Sequence, residues 1–181
     1  MIATESDAGL LEKARNGDAD ALVRAYLDDV YRVALRVLRD ADLAADATQD
    51  AFVNAMVGLS RFRGESSVRT WLLRIAINAA HTVGRRRSRR REVALDAVGD
   101  APARGPRIDE RVVARVEVER AERALAQLPE KQRLSVALRI QDGLSYAEIG
   151  EIIGSSEAAA RVNYHYGVRR LREVLGDDDA M

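Results

Sequence analysis

The chain has 181 residues, 47% of them apolar and only 4% aromatic, with 29 basic side chains balanced by 29 acidic ones and no cysteine. That length suffices for one ordinary domain or two small ones, and a mixture dominated by Ala, Val, Leu and Arg favours helices over strands. Several classes are excluded: there is no disulfide frame or thiolate metal site, no apolar run of about 18 residues for a membrane helix, and no basic-then-apolar signal peptide in Met1 to Leu11, so a cytoplasmic protein without membrane insertion is expected.

Apolar side chains recur every three or four residues along the chain, the spacing of helices. Leu22, Tyr26, Val30, Val33 and Val37 make the first stripe; Ala44, Thr48, Ala51, Ala55 and Leu59 the second; Leu72, Ile75, Ala76, Ala79 and Val83 the third. Between the second and third lies Arg61-Phe62-Arg63-Gly64-Glu65-Ser66-Ser67, a polar loop whose serines suit the start of a helix. Gly99, Pro102, Gly105 and Pro106 then crowd one short stretch, which reads as a flexible linker. Helical spacing resumes at Asp109 and runs through Val113, Val116 and Ala124 to Leu128. Pro129 opens the next helix and Gly143 is placed to end it. Ser145-Tyr146-Ala147-Glu148 matches a capping box. Gly154 follows that short helix, and Ser155 or Ser156 can cap the last one. The predicted fold is all-α, two small helical domains joined by a flexible linker, the second containing a helix-turn-helix.

Charge is unevenly placed: residues 81–95 carry six arginines against one glutamate, in a chain that is otherwise mildly acidic. The run Arg85 to Arg91 fits a polyanion and the surrounding acid a protein partner; taken alone, the run also fits a solvated tail. On the helix near residues 42–59, Asp42, Asp46, Gln49 and Asp50 lie opposite the apolar stripe and are continued by Val53 and Val57. Carboxylates beside exposed valines point to a protein-binding face, though acid for solubility gives the same pattern. The third helix carries Trp71, Arg74 and Asn78 into the arginine run, and the loop before it offers Arg61, Phe62, Arg63, Ser66 and Ser67 to hold an unstacked base.

The segment from Ser145 to Leu175 has the short helix, tight turn and longer helix of a helix-turn-helix. Placed at 100° per residue, Ala160, Tyr164, Val168, Leu171 and Leu175 share an apolar face. Val162, His165, Tyr166 and Arg169 fall roughly opposite, with Arg161 on the flank. Such a face suits reading of base edges, and Ser155 and Ser156 would bring hydroxyls and backbone N–H groups to phosphate. Spacing alone fits a plain helical hairpin equally well. Tyr164 reads as core.

Four stretches together resemble the extracytoplasmic-function branch of bacterial sigma factors. Ala44 to Phe52 (AADATQDAF) is similar to the family's polymerase-binding stretch. Phe62-Arg63-Gly64 with Thr70-Trp71-Leu72 and Arg74-Ile75-Ala76-x-Asn78 is similar to its FRG…TWLxRIAxN stretch. Leu128 to Arg133 looks like the start of its C-terminal domain, and Leu144 to Gly150 like the first part of its helix-turn-helix. The resemblance implies residues 1–92 as sigma region 2, 93–111 as linker and 112–181 as sigma region 4.

It further implies that Asp46, Gln49, Asp50 and Val53 bind core RNA polymerase at its beta-prime clamp, with the beta subunit also a partner. Arg61, Phe62, Arg63, Ser66, Ser67, Trp71, Arg74, Asn78, Arg85, Arg86 and Arg87 would recognise and melt the minus-ten element of promoter DNA. Ser155, Ser156, Arg161, Val162, His165, Tyr166 and Arg169 would read the minus-thirty-five element as duplex. A transcription initiation factor of this branch implies stress- or signal-responsive action and a repressing anti-sigma factor, with no cofactor, no metal and no catalysis of its own. Two departures mark this chain. Ala45 stands where the family carries an acid, and Asn163 and Tyr166 replace two common arginines of the recognition helix.

Two other functions remain open at this point. A stand-alone helix-turn-helix regulator would account for residues 128–175 but not for the acidic helix or the Trp-Leu-Arg stretch. A recombinase or nuclease would need paired carboxylates, a metal set or a phosphate-binding glycine loop, and none stands out in the sequence.

Overall fold

A computed structural model describes residues 6–94 and 123–177, and every regular element among them is helical. The chain divides into two compact units, Met1–Asp100 and Ala101–Met181. The expected linker from residue 95 onward and the stripe from Asp109 through Val116 lie outside the described residues.

The first unit packs α1 (Asp7–Arg15), α2 (Asp20–Leu38), α3 (Ala41–Gly58) and α4 (Val68–Ala94), with a short 3-10 turn at Leu59–Arg61. The second stripe is buried at every position, Ala44 through Leu59. The first holds at Leu22, Val30 and Val33, while Tyr26 and Val37 are half-buried. On α4 burial is wider than the stripe: Leu73, Ile77 and Ala80 are also buried because both α2 and α3 pack against this helix, and Ile75 is only half-buried. Small residues on α3 let these helices approach closely. At the start of α3 the Asp40 carboxylate caps the helix, accepting from the backbone N–H groups of Asp42 (3.1 Å) and Leu43 (3.0 Å). α1 carries no family motif; the Tyr26 hydroxyl, donating to Asp7 at 2.6 Å, ties it to α2.

The backbone of α4 is helical to Ala94, so residues 93 and 94, expected in the linker, continue the helix. The arginine run through Arg90 is therefore displayed on a helix about 40 Å long and is not an extended tail.

In the second unit, residues 123–126 form a helical turn, followed by α5 (Glu130–Ile140), α6 (Tyr146–Ile152) and α7 (Glu157–Asp177). Pro129 sits at the N-cap of α5 rather than inside its first turn. The capping box on α6 is complete: the Glu148 N–H donates to Ser145 Oγ while the Ser145 N–H donates to the Glu148 carboxylate at 2.8 Å. Gly143 (φ 69°) and Gly154 (φ 62°) occupy the left-handed region that favours glycine. Buried Leu134, Leu138, Ile149, Ile152 and Ala160 form the core between the three helices.

Gly167 decides how α5 and α7 cross. It is buried, and a Cβ there would stand 2.6 Å from Val136 Cγ2 and 3.2 Å from the Gln132 carbonyl. Tyr164, expected in the core, is half-buried instead. With α5 this close to α7 at Gly167, the tyrosine ring is left at the edge, where it meets Tyr146 with centroids 5.7 Å apart.

Candidate functional site

Three surfaces carry the expected functional side chains. On α3, Asp46, Gln49 and Val53 are exposed and Asp50 half-buried, all opposite the buried alanines. α3 and α4 run antiparallel, which brings the beginning of α3 against the arginine end of α4. Arg86 Nη1 lies 3.4 Å from Asp50, and Arg87 Nη1 2.5 Å from Asp40. A cleft of about 420 Å³ is lined there by Leu43, Asp46, Gln49, Asp50, Val83, Arg86, Arg87 and Arg90. The acidic face and part of the basic run, two separate stretches in the sequence, thus form one continuous site.

That geometry divides the arginines. At 100° per residue, Arg74, Asn78, Arg85 and Arg89 fall within one narrow sector of α4, and all four are exposed. Arg85 Nη2 donates to Thr82 Oγ1 at 3.1 Å, and Thr82 Oγ1 donates to the Asn78 carbonyl at 2.9 Å, giving this sector a polar, cationic surface. Arg86 and Arg87, grouped with the minus-ten residues on sequence grounds, face α3 and its carboxylates instead. The run spans more than one helical turn, so its members must point to different sides.

The loop before α4 is anchored at both ends. Ser67 Oγ accepts from the Thr70 N–H at 3.0 Å and donates to Thr70 Oγ1 at 2.9 Å, capping the helix. Phe62 meets Trp71 with ring centroids 4.8 Å apart. Arg15 reaches the Phe62 carbonyl from α1 at 3.4 Å. Arg61 and Arg63 are exposed, Ser66 half-buried, and Arg63 is in loose reach of Glu65 at 3.9 Å. Trp71 is only 7% exposed and packs against Phe62 and beside Gly58. Its ring supports the loop from beneath. Trp71 stands four residues before Ile75 of the stripe, a helical spacing that fits its burial.

Beside this loop α2 and α4 are locked by charge. Asp29 on α2 pairs with Arg69 Nε at 2.5 Å and with Arg32. Burial pushes the Asp29 carboxyl up, but the Arg69 and Arg32 guanidinium groups outweigh it and hold the pKa below the ordinary carboxylate value.

On α7, Arg161, Val162, His165, Tyr166 and Arg169 are exposed, Val162 at 52% and Tyr166 at 58%. The helix presents this face as expected. Arg161 pairs with Glu157 at 2.9 Å and Arg169 with Glu173 at 3.0 Å. Ser156 Oγ caps α7, accepting from the Ala159 N–H at 3.1 Å. The N–H of Ser155 donates to the Gly150 carbonyl at 2.8 Å. The expected free donor at Ser155 is therefore engaged in the turn that joins α6 to α7.

One surface carried no sequence motif. An apolar groove of about 510 Å³ runs between α2 and α3, lined by Val23, Leu27, Tyr31, Phe52 and Val53 and reaching Gln49. Leu27 is 44% exposed. The one signal for it was leucine and valine off the buried stripe of α2.

Comparison with known families assigns both units. Sigma-70 region 2 matches residues 22–92, and Sigma-70, region 4 matches residues 119–171. The RNA polymerase sigma-H factor of Pseudomonas aeruginosa is 37% identical, covering 97% of this chain and 94% of that protein. A second relative, the ECF RNA polymerase sigma factor SigW of Bacillus subtilis, is 30% identical over 92% of this chain and 95% of its own length. The chain belongs to the extracytoplasmic-function sigma factors. In fold, the sigma factor resembles the sigma factor RpoE solved in complex with the anti-sigma factor NepR from Bartonella quintana, with a TM-score of 0.70 and 22% identity, covering 88% of this chain and 97% of that one.

The sigma factor is a transcription initiation factor and not an enzyme. Among its described residues no group of three or more His, Asp or Glu side chains could hold a metal ion, and no helix is long and apolar enough to cross a membrane.

Proposed function

We propose that this sigma factor carries core RNA polymerase to promoters through residue sets that the three surfaces define. The exposed face of α3, with Asp46, Gln49, Asp50 and Val53, binds the beta-prime clamp, and carboxylates beside apolar side chains supply charge selection and buried area together. The loop of Arg61, Phe62, Arg63 and Ser66 takes the unstacked base of the minus-ten element. Trp71 and Ser67 hold that loop in shape, and Arg74, Asn78, Arg85 and Arg89 track the adjoining strand. The outward face of α7, from Ser156 and Arg161 through Val162, His165 and Tyr166 to Arg169, lies in the major groove of the minus-thirty-five element. Residues 1–94 are region 2, the stretch from 95 to 111 is the linker and 112–181 are region 4, and the protein works in the cytoplasm.

The observation that carries this reading is the alignment of Arg74, Asn78, Arg85 and Arg89 along α4 directly after the loop. Its three arginines and one asparagine offer charge and hydrogen-bond donors along one side of α4 to a phosphate backbone. Control by an anti-sigma factor is part of the proposal. The structural relative was solved bound to one, and the apolar groove beside Gln49 and Val53 would let such a partner compete with polymerase. The experiment is run-off transcription with core polymerase on a randomised promoter library. Selective initiation from an enriched two-element sequence is expected. Transcription no better than core alone would refute the assignment.

A further inference from the structure

We infer that Tyr146, on the first helix of the helix-turn-helix, is a positioning residue that sets the guanidinium of Arg161 for base readout by the recognition helix. The inference rests on the proposed role of α7 in reading duplex DNA.

Tyr146 opens α6, where the Ser145–Glu148 capping box fixes the backbone. Its half-buried ring reaches toward α7. The Arg161 guanidinium carbon lies 5.2 Å from the Tyr146 ring centroid, within cation–π range. Arg161 also pairs with Glu157, one turn earlier on α7, at 2.9 Å. Ring and carboxylate hold the guanidinium from two helices. Arg139 of α5 approaches the same ring at 5.0 Å and donates to the Leu144 carbonyl at 2.8 Å, so it is fixed to the turn just before α6. Tyr164 and His165 border the ring at 5.7 Å and 6.5 Å. The Tyr146 ring is therefore where side chains of all three helices meet.

An arginine free in solution must give up most of its rotamers to make a bidentate contact with a base. Arg161 is already confined in this structure. The effect matters here because between Arg161 and Arg169 the exposed reading face carries only Val162, His165 and Tyr166, so Arg161 is the arginine that stands at the N-terminal end of that face. Discrimination at one base position then depends on a single guanidinium and on what aims it. Both faces of that dependence are aromatic or acidic and survive Tyr146→Phe, since the ring and not the hydroxyl is in contact.

The test is promoter binding by holoenzyme against a library randomised in the minus-thirty-five element. It uses full-length wild type, Arg161→Ala, Tyr146→Phe, Tyr146→Leu and the Tyr146→Leu/Arg161→Ala double variant, each with a thermal melt. Arg161→Ala is expected to flatten preference at one position. Tyr146→Leu should weaken preference at that same position by about two- to fivefold, the strength of one cation–π contact. Preference elsewhere should be unchanged, and the double variant should be no worse than Arg161→Ala. Tyr146→Phe should match wild type. If Tyr146→Leu does not fold, Tyr146→Met replaces it. A Leu or Met variant that melts normally and keeps full preference overturns the inference while Arg161's reading role stands. So does one that weakens every promoter equally, or a Phe variant as poor as Leu. If Arg161→Ala leaves every position unchanged, α7 does not read DNA through this residue, and both the reading and the inference fall.

Discussion

Arg86 and Asp50, 36 positions apart in sequence, meet across the α3–α4 contact at 3.4 Å. Asp50 lies on the proposed polymerase-binding face of α3 and Arg86 in the arginine run of α4, and both side chains are substantially exposed. An exposed pair of this kind contributes only about 0.2–1 kcal/mol to stability. Its value in the free protein is thus small, and its carboxylate is readily surrendered to a partner. Asp50→Asn is expected to leave the melting temperature nearly unchanged while weakening core polymerase binding by about tenfold or more, or ~1.4 kcal/mol. Fluorescence anisotropy with labelled sigma factor measures the second quantity. Loss of stability with unchanged affinity would make Asp50 a structural residue only.

The two sectors of the arginine run should separate in salt titrations. Each phosphate that an arginine no longer neutralises lowers the slope of log affinity against log salt by about 0.9 on duplex DNA and about 0.7 on a single strand. Replacing Arg85 and Arg89 by Ala should remove two such steps from promoter binding by holoenzyme. Replacing Arg86 and Arg87, which face Asp50 and Asp40, should remove less than one. Equal slopes for the two pairs would show that helical phase does not sort these side chains.

Trp71 and Asn78 should part in the same manner between stability and melting. Trp71→Ala leaves a cavity beneath the loop beside Phe62 and should cost about 3–5 kcal/mol of first-unit stability. Asn78→Ala, on the exposed sector, should cost under about 0.5 kcal/mol. It should slow promoter opening, read by permanganate reactivity of unpaired thymines. Normal opening by the Asn78 variant would remove it from the site.

The first unit should be acid-sensitive in a defined direction. Asp29 is held below the ordinary carboxylate pKa by Arg69 and Arg32 against the cost of burial, and Asp40 by the Leu43 backbone N–H and Arg87. A depressed folded pKa contributes stability that is present above the unfolded value of about 4 and is lost as pH falls through the folded value. Tyr26 works in the opposite sense. Burial and the bond to Asp7 raise its phenol pKa, so its contribution is complete below about pH 10 and is lost at higher pH. Urea melts from pH 2 to 6 should show the acid loss, reduced in Asp29→Asn; a variant with the wild-type pH profile would exclude Asp29 as the cause.

Gly167→Leu should force α5 from α7, since even a Cβ there approaches Val136 within 2.6 Å. The expected cost is at the upper end of the ~1–3 kcal/mol seen for overpacking. Hydrogen exchange of the full chain should show faster exchange in both helices and none of the change in α2 to α4. Unaltered protection in α5 would mean that the crossing can widen without loss.

Much of this sigma factor is legible in the residues themselves. Local rules placed α2, α3, α4, α6 and α7. The buried alanines of α3 follow a 3.6-residue period, Ser145 and Glu148 form the capping box that their spacing requires, and Ser67 caps α4. The orientation of the α7 reading face also follows from period alone, because a helix has one phase once a single face is known to be buried. Three things required the tertiary structure. α1 escaped notice because one short segment carries too few apolar positions to show a period, and its place depends on the burial of Leu10, Leu11 and Ala14 against the unit and on the Tyr26–Asp7 bond across 19 residues. The burial of Trp71 depends on Phe62 and Gly58 closing over it. Tyr164 lies at the edge because Gly167, three residues on, admits α5. Sequence periodicity states which side of a helix is apolar, but only the neighbouring helices decide how much of that side is covered. For the same reason the arginines of α4 look like one basic block in the chain, and become two surfaces when α3 brings Asp40 and Asp50 to one of them.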